Sequence, residues 1–181
     1  MNIRTFNIEE FRNFIRNRKR NTINLNKNDF RFFSWDDLNF FDYEDEYFKT
    51  LRFSLVYDDL NIYAISKSAK FPYDEKYSIS YLSVHKEFRN LGYSKLLLEE
   101  ICNNYVNEFS HWELGISKYT VSGWKYIRPY LLKLVKLMNI NFNDSYVDYQ
   151  DVKNNKEEFF KLRKISINKF KLNYPEEASV L

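Results

Sequence analysis

The chain has 181 residues, 44% of them hydrophobic, and its 28 basic and 25 acidic side chains leave a net charge of +3. That length suits one domain with a substantial core, and so balanced a charge permits nucleic-acid binding without requiring it. A single cysteine, Cys102, excludes an internal disulfide, and with only His85 and His111 beside it a Cys/His zinc site has too few ligands.

Aromatic content is high, with 15 Tyr and 17 Phe against three Gly and three Pro, which is the composition of a globular domain and not of a low-complexity chain. No signal-peptide pattern and no long uncharged apolar run is present, so the expectation is a cytoplasmic protein with no membrane partner. One domain over residues 1–174 is expected, with 175–181 as a frayed tail.

Met1 to Phe6 reads as a short strand. Asn7 followed by Glu10 gives a capping-box spacing, and Ile8, Phe11 and Ile15 supply one apolar face, which predicts a helix to about Arg20. Arg16, Arg18, Lys19 and Arg20 gather at its end, where they complement the helix dipole; contact with phosphates is the less favoured reading. Residues 21–33 are Asn-rich and carry Phe30, Phe32 and Phe33, which need cover. Ser34 opens another helical pattern through Leu38, Phe41 and Phe48, and its acidic run Asp42 to Glu46 reads as a solvated face in preference to a lure for a cationic substrate.

From Leu51 the period changes to two. Leu51, Phe53, Leu55 and Tyr57, then a turn at Asp58-Asp59, then Leu60, Ile62 and Ala64, predict an antiparallel hairpin over 51–66. Pro72 marks the next loop. Tyr77 to Val84 alternates again and reads as a half-buried strand. The turn Arg89-Asn90-Leu91-Gly92-Tyr93-Ser94 follows, and from Tyr93 the residues Leu97, Ile101, Tyr105 and Phe109 recur every four positions, with Glu99, Glu100, Asn103 and Asn107 on the other side. Cys102 falls on the apolar side as a packed thiol.

A helix that begins at such a turn offers unpaired backbone N–H groups and a partial positive charge, both suited to a phosphate. Gly92 permits a left-handed or crowded backbone, and Arg89 and Lys95 bracket the turn with positive charge. The plainer alternative is that Gly92 only makes a tight connection.

His111 to Ser117 reads as a further strand with Trp112, Leu114 and Ile116 on one face, and Gly115 inside it leaves room for a close backbone or ligand. A second helix covers part of Val121 to Met138, kinked or broken at Pro129. Asn139 to Phe142 starts the next strand, and either Phe159–Ile165 or Ile165–Phe170 supplies the last.

The run Leu82-Ser83-Val84-His85-Lys86-Glu87-Phe88-Arg89-Asn90-Leu91-Gly92-Tyr93-Ser94-Lys95 resembles the acetyl-coenzyme A motif of GNAT N-acetyltransferases, (Q/R)-x-x-G-x-(G/A) after a strand. The match includes the loop length between strand and Arg89; Ser94 replaces the usual Gly or Ala. The resemblance covers about residues 50–142 in layout and is motif-specific over Leu82 to Leu97. It implies an α/β (α+β) domain on a mostly antiparallel sheet of about six to seven strands flanked by helices, splayed between the strands at 77–84 and 112–117.

By that resemblance acetyl-coenzyme A is the co-substrate, without a metal. Main-chain groups of Leu82, Ser83 and Val84 would hold the acyl and pantetheine arm, while Arg89, Asn90, Leu91, Gly92, Tyr93, Ser94 and Lys95 would hold the diphosphate. Many members carry a base Glu eleven positions before the residue matching Arg89, where this chain has Ser78; Glu75 and Glu113 are the nearby carboxylates. For the acid, the family often uses a Tyr on the following helix, which implies Tyr126, narrowly ahead of Tyr130.

The implied activity is acetyl transfer to a primary amine by direct attack in a ternary complex. The acceptor is a small amine, a protein Lys or N-terminus, or an aminoacyl-tRNA, and the protein a monomer or homodimer. Ser78 motivates the alternative of a GNAT-like binding protein without turnover, and Arg16 to Arg20 that of a nucleic-acid-contacting acyltransferase.

Overall fold

A computed structural model of the chain describes residues 1–19, 46–70, 75–117 and 119–144. The helical pattern from Ser34 as far as Asp45, the Phe30–Phe33 cluster, both candidates for a last strand and the proposed tail lie outside these residues; the end of that pattern, at Phe48, is helical.

The elements run β1 (Asn2–Phe6), α1 (Ile8–Lys19), α2 (Glu46–Thr50), β2 (Arg52–Tyr57), β3 (Ile62–Lys70), β4 (Lys76–Val84), α3 (Tyr93–Glu108), β5 (Glu113–Ile116), α4 (Arg128–Leu137) and β6 (Phe142–Asn143). They build a six-stranded sheet in the order β1-β2-β3-β4-β5-β6. The first three pairings are antiparallel and the last two parallel. This is the mixed α/β layout expected: a mostly antiparallel sheet flanked by helices.

Local chemistry explains the boundaries. The Asn7 side chain accepts from the Glu10 N–H at 2.9 Å and the Glu10 carboxylate accepts from the Asn7 N–H at 3.0 Å, a reciprocal cap that starts α1. At the β2–β3 turn, Asp58 Oδ1 accepts from the N–H groups of Leu60 at 2.8 Å and Asn61 at 2.7 Å, so one carboxylate holds the hairpin closed.

Residues alternate between two cores on opposite faces of the sheet. Phe53, Leu55 and Ile65 pack with Phe6, Phe11 and Ile15, and Phe11 stacks on Phe53 with centroids 4.2 Å apart. Val56, Ala64, Tyr77 and Ile79 point the other way, onto Leu97, Leu98, Ile101 and Tyr105 of α3 and Leu131 of α4. Cys102 lies in this second core, where burial pushes its thiol up to about 12.

Gly115 sits opposite Ser78 in the β4–β5 ladder, and a Cβ there would come within 3.3 Å of Lys76 Cδ and of Ser78 Oγ. The room it leaves is taken by β4 side chains. Pro129 stands in the first turn of α4, directly after a π-helical turn over Gly123–Ile127, so it marks the place where the irregular part of this helical stretch gives way to the regular helix.

Both β4-α3-β5 and β5-α4-β6 are parallel crossovers advancing the same way across the sheet, so right-handed connections set α3 and α4 on one face. Each helix begins at the carboxyl end of the strand before it. That end of the β4–β5 pair is therefore bordered by the starts of two helices, the usual place for a ligand in a parallel α/β unit.

Candidate functional site

β4 and β5 pair only from Lys76↔Glu113 to Ile79↔Ile116. The partner ladder between β4 and β3 slips at the same level: Lys67 faces Tyr81 and Ser68 faces Ile79, so Ser80 is an extra residue. Such a bulge bends a strand and raises its twist. The Ser80 hydroxyl bonds to the Lys67 carbonyl at 3.1 Å, fixing the bulge. The Ser80 carbonyl still accepts from the Ser117 hydroxyl at 3.5 Å; strand β4 parts from β5 beyond it, and Tyr81–Val84 keep β3 as their only strand neighbour among the described residues.

The ladder also orients the main chain in this open half. The His85 N–H donates to the Tyr63 carbonyl at 2.9 Å, which makes Tyr63/His85 a hydrogen-bonded pair. By strict alternation Ile65/Ser83 and Lys67/Tyr81 are hydrogen-bonded too, while the N–H and C=O groups of Leu82 and Val84 point away from β3, into the gap beside β5. Ser83, on this geometry, commits its main-chain groups to β3. The Arg89 side chain closes one end of the gap, with Nε 3.4 Å from the Val84 carbonyl.

Beyond Val84 the chain makes a 3-10 turn over Lys86–Phe88 and then the loop into α3. Asn90 and Gly92 both have positive φ, 67° and 86°. Glycine is suited to the second of these by conformation alone, because a Cβ on Gly92 would meet nothing within 4 Å. Arg89, Asn90, Leu91, Gly92 and Lys95 are exposed, and Tyr93 and Ser94 half-buried.

The helix starts without a side-chain cap. Lys95 N–H is the first to be used, donating to the Gly92 carbonyl at 2.9 Å, and those of Gly92, Tyr93 and Ser94 have no acceptor among the described residues. These donors lie at the positive end of a 16-residue helix with two cationic side chains beside them.

Of the two candidate tyrosines, Tyr130 is the one that reaches α3. Its hydroxyl donates to the Glu99 carboxylate, and that acceptor raises the phenol above its usual pKa. Lys95, one helical turn before Glu99, holds its ammonium 5.4 Å from the Tyr130 ring centroid. Tyr126 lies on the π-helical turn, 65% exposed, with Lys125 5.1 Å over its ring.

The carboxylates considered as bases stand elsewhere. Glu113 pairs with Lys76 at 3.4 Å in the first register position of β4 and β5, the closed end, and Glu75 is exposed just before it. At a strand rise of about 3.3 Å per residue they are on the order of 20 Å from Leu82. Ser78 is buried within the closed half.

Sequence reasoning missed two groups. Glu99 was assigned to the polar side of the helix, yet it and Glu100 are tied down: Glu99 by Tyr130 and Glu100 by the Thr5 hydroxyl at 2.7 Å. The i, i+4 spacing of Lys95 and Glu99 is visible in the sequence, but their shared partner Tyr130 is 31 positions beyond Glu99. The second group is Asp144, buried at the end of β6, which accepts from Arg128 at 2.6 and 3.1 Å and from the Tyr119 hydroxyl at 2.9 Å. It raises the pKa of Arg128, whose guanidinium also lies 4.4 Å from the Trp124 ring centroid. This network ties the start of α4 and the residues before it to β6.

Among the described residues no helix is long and apolar enough to cross a membrane. Compared with known proteins, the chain matches no protein-family model and no curated protein. Among solved structures it is similar to a Bacteroides thetaiotaomicron protein assigned to the GNAT family as an acetyltransferase, with a TM-score of 0.33 and 14% identity over 57% of this chain. The match spans 55% of that protein's length.

Proposed function

We propose that the chain is an acetyl-coenzyme A-dependent N-acetyltransferase of the GNAT type. The observation that carries the reading is the coincidence of three features at one end of the β4–β5 pair. The strands part after Ser80, the main-chain groups of Leu82 and Val84 turn into the gap, and the amides of Gly92, Tyr93 and Ser94 stand beside it without acceptors among the described residues.

In this reading the diphosphate of the co-substrate sits on the α3 turn, and the acyl arm extends along Leu82 to Val84. An acceptor amine attacks the thioester carbonyl, forming the C–N bond. A main-chain N–H aimed into the gap stabilises the oxyanion as it develops. The C–S bond then breaks, the attacking nitrogen releases its proton to solvent water, and the thiolate takes up a proton from Tyr126 or Tyr130, the phenol being reprotonated from solvent. The acceptor is a primary amine of a small molecule, a protein or an aminoacyl-tRNA.

A second reading, a GNAT-like binding protein without turnover, is favoured by one observation. Ser78 occupies the position of the family's usual base, and the nearby Glu75 and Glu113 belong to the closed end.

Calorimetry with acetyl-coenzyme A on the parent and on Gly92→Glu tests the site. The parent is expected to bind and the variant not to, because a carboxylate would repel the diphosphate and the residue would strain at φ +86°. Equal affinities would reject the assignment. Given binding, failure of a broad amine panel to release free thiol would favour the second reading.

A further inference from the structure

Both ends of the Arg89–Gly92 turn converge on one residue, Tyr63, the second residue of β3. Its carbonyl accepts from His85, which opens the connection to α3, at 2.9 Å. Its ring meets Phe88, immediately before the turn, edge-on at 4.8 Å and 79°. Its face stacks on Tyr93, immediately after the turn, at 4.7 Å and 10°. Phe88 and Tyr93 also meet each other edge-on, at 6.5 Å and 89°.

Tyr63 is itself anchored. Its hydroxyl donates to Asp58 Oδ2, the same carboxylate whose Oδ1 closes the β2–β3 hairpin. The Tyr63 bond is the largest influence holding Asp58 below its usual pKa, and the carboxylate in turn raises the phenol.

We infer that Tyr63 is a positioning residue for the diphosphate-binding turn: through Phe88 and Tyr93 it fixes the two ends of a loop that is otherwise exposed. The inference rests on the acetyl-coenzyme A reading for its ligand, but the hold on the turn stands on contacts within the chain. The turn contains two residues of positive φ, and the first bonded amide of α3 comes only at Lys95. Without the bracket, several backbone conformations would have to be frozen out on binding, and that ordering cost would weaken the complex.

The experiment compares the parent, Tyr63→Leu, which fills the space without a flat face, and Tyr63→Phe, which keeps the ring. Calorimetry with acetyl-coenzyme A is paired with hydrogen exchange at the Lys95 and Leu96 amides, both bonded to the Gly92 carbonyl.

Two lost ring pairs predict an affinity about tenfold weaker in Tyr63→Leu, with Tyr63→Phe within about threefold of the parent. Exchange is expected to quicken at Lys95 and Leu96 in Tyr63→Leu alone, while amides from Leu98 to Tyr105 keep their protection. A residue important only for overall stability would instead quicken exchange along the whole helix.

Unchanged affinity and exchange in Tyr63→Leu would overturn the inference, as would equal effects in the two variants. If the parent itself does not bind, the acetyl-coenzyme A reading fails. The exchange pattern then still decides whether Tyr63 holds the turn.

Discussion

In its first half, up to Ile79, β4 has a strand on each edge, and Tyr77, Ser78 and Ile79 are buried; in its second half, among the described residues, it keeps β3 alone, and Tyr81 to Val84 are all partly exposed. The divide is a single extra residue, Ser80. Side-chain chemistry does not separate the halves, since both read Tyr-Ser or Leu-Ser in alternation. What differs is which backbone groups are used. In the first half they serve the sheet on both sides, and in the second every other residue has its amide and carbonyl turned outward. A strand can thus supply a fixed row of donors and acceptors by losing one neighbour, with no special side chain required.

That comparison can be broken most forcefully in the closed half. Tyr77 is 1% exposed, stacks on Phe109 at 4.2 Å and 12°, and lies 6.1 Å from Tyr105. Truncation of a large buried aromatic costs about 3–5 kcal/mol, so Tyr77→Ala should lower the denaturation midpoint more than any other change considered for β4. Urea unfolding checks it. A loss below about 1 kcal/mol would mean that the first half is not the packed anchor on which the second depends.

The open half was legible in part. The change from a period of two to a period of four, with Gly92 between, marked the strand, turn and helix, because β4 and α3 each expose one face to a core and the turn between them faces water. The Asp58 hairpin was likewise written locally, in a carboxylate that bonds two amides within three residues.

The bulge at Ser80 was not legible. It carries no Gly or Pro and exists only as a slip between two strands, so nothing in Tyr77 to Val84 alone announces it. Nor was the bond from Tyr130 to Glu99, which joins two helices across 31 positions of sequence. Gly115 misled for the same reason: its neighbours are Lys76 and Ser78, long-range partners that spacing along the chain cannot supply.

Proline substitutions sharpen the alternation itself, at intermediate cost. Ser83 donates toward β3, so Ser83→Pro removes a ladder bond and leaves the Ile65 carbonyl without its donor, a loss of about 1–3 kcal/mol. The Val84 amide points into the gap, so Val84→Pro removes no ladder bond and should cost less stability. Its expected signature is in binding, where one donor facing the acyl arm is gone. Thermal melts together with acetyl-coenzyme A titration separate the two. If Val84→Pro proves the more destabilising, the assignment of which residues face the gap is reversed.

The smallest effect belongs at the far end of the closed half. Lys76 and Glu113 form a cross-strand pair at 3.4 Å, with side chains 22% and 26% exposed. Water and salt screen such a pair, so Glu113→Gln should cost no more than about 1 kcal/mol, and less as ionic strength rises. The value of this substitution lies in what it leaves alone. Since Glu113 stands at the closed end, acetyl-coenzyme A affinity should not change, and neither should the pH dependence of any transfer activity. A Glu113→Gln protein of normal stability that lost turnover while still binding the co-substrate would place the base at the closed end, and the division of β4 into an anchoring half and a binding half would fail.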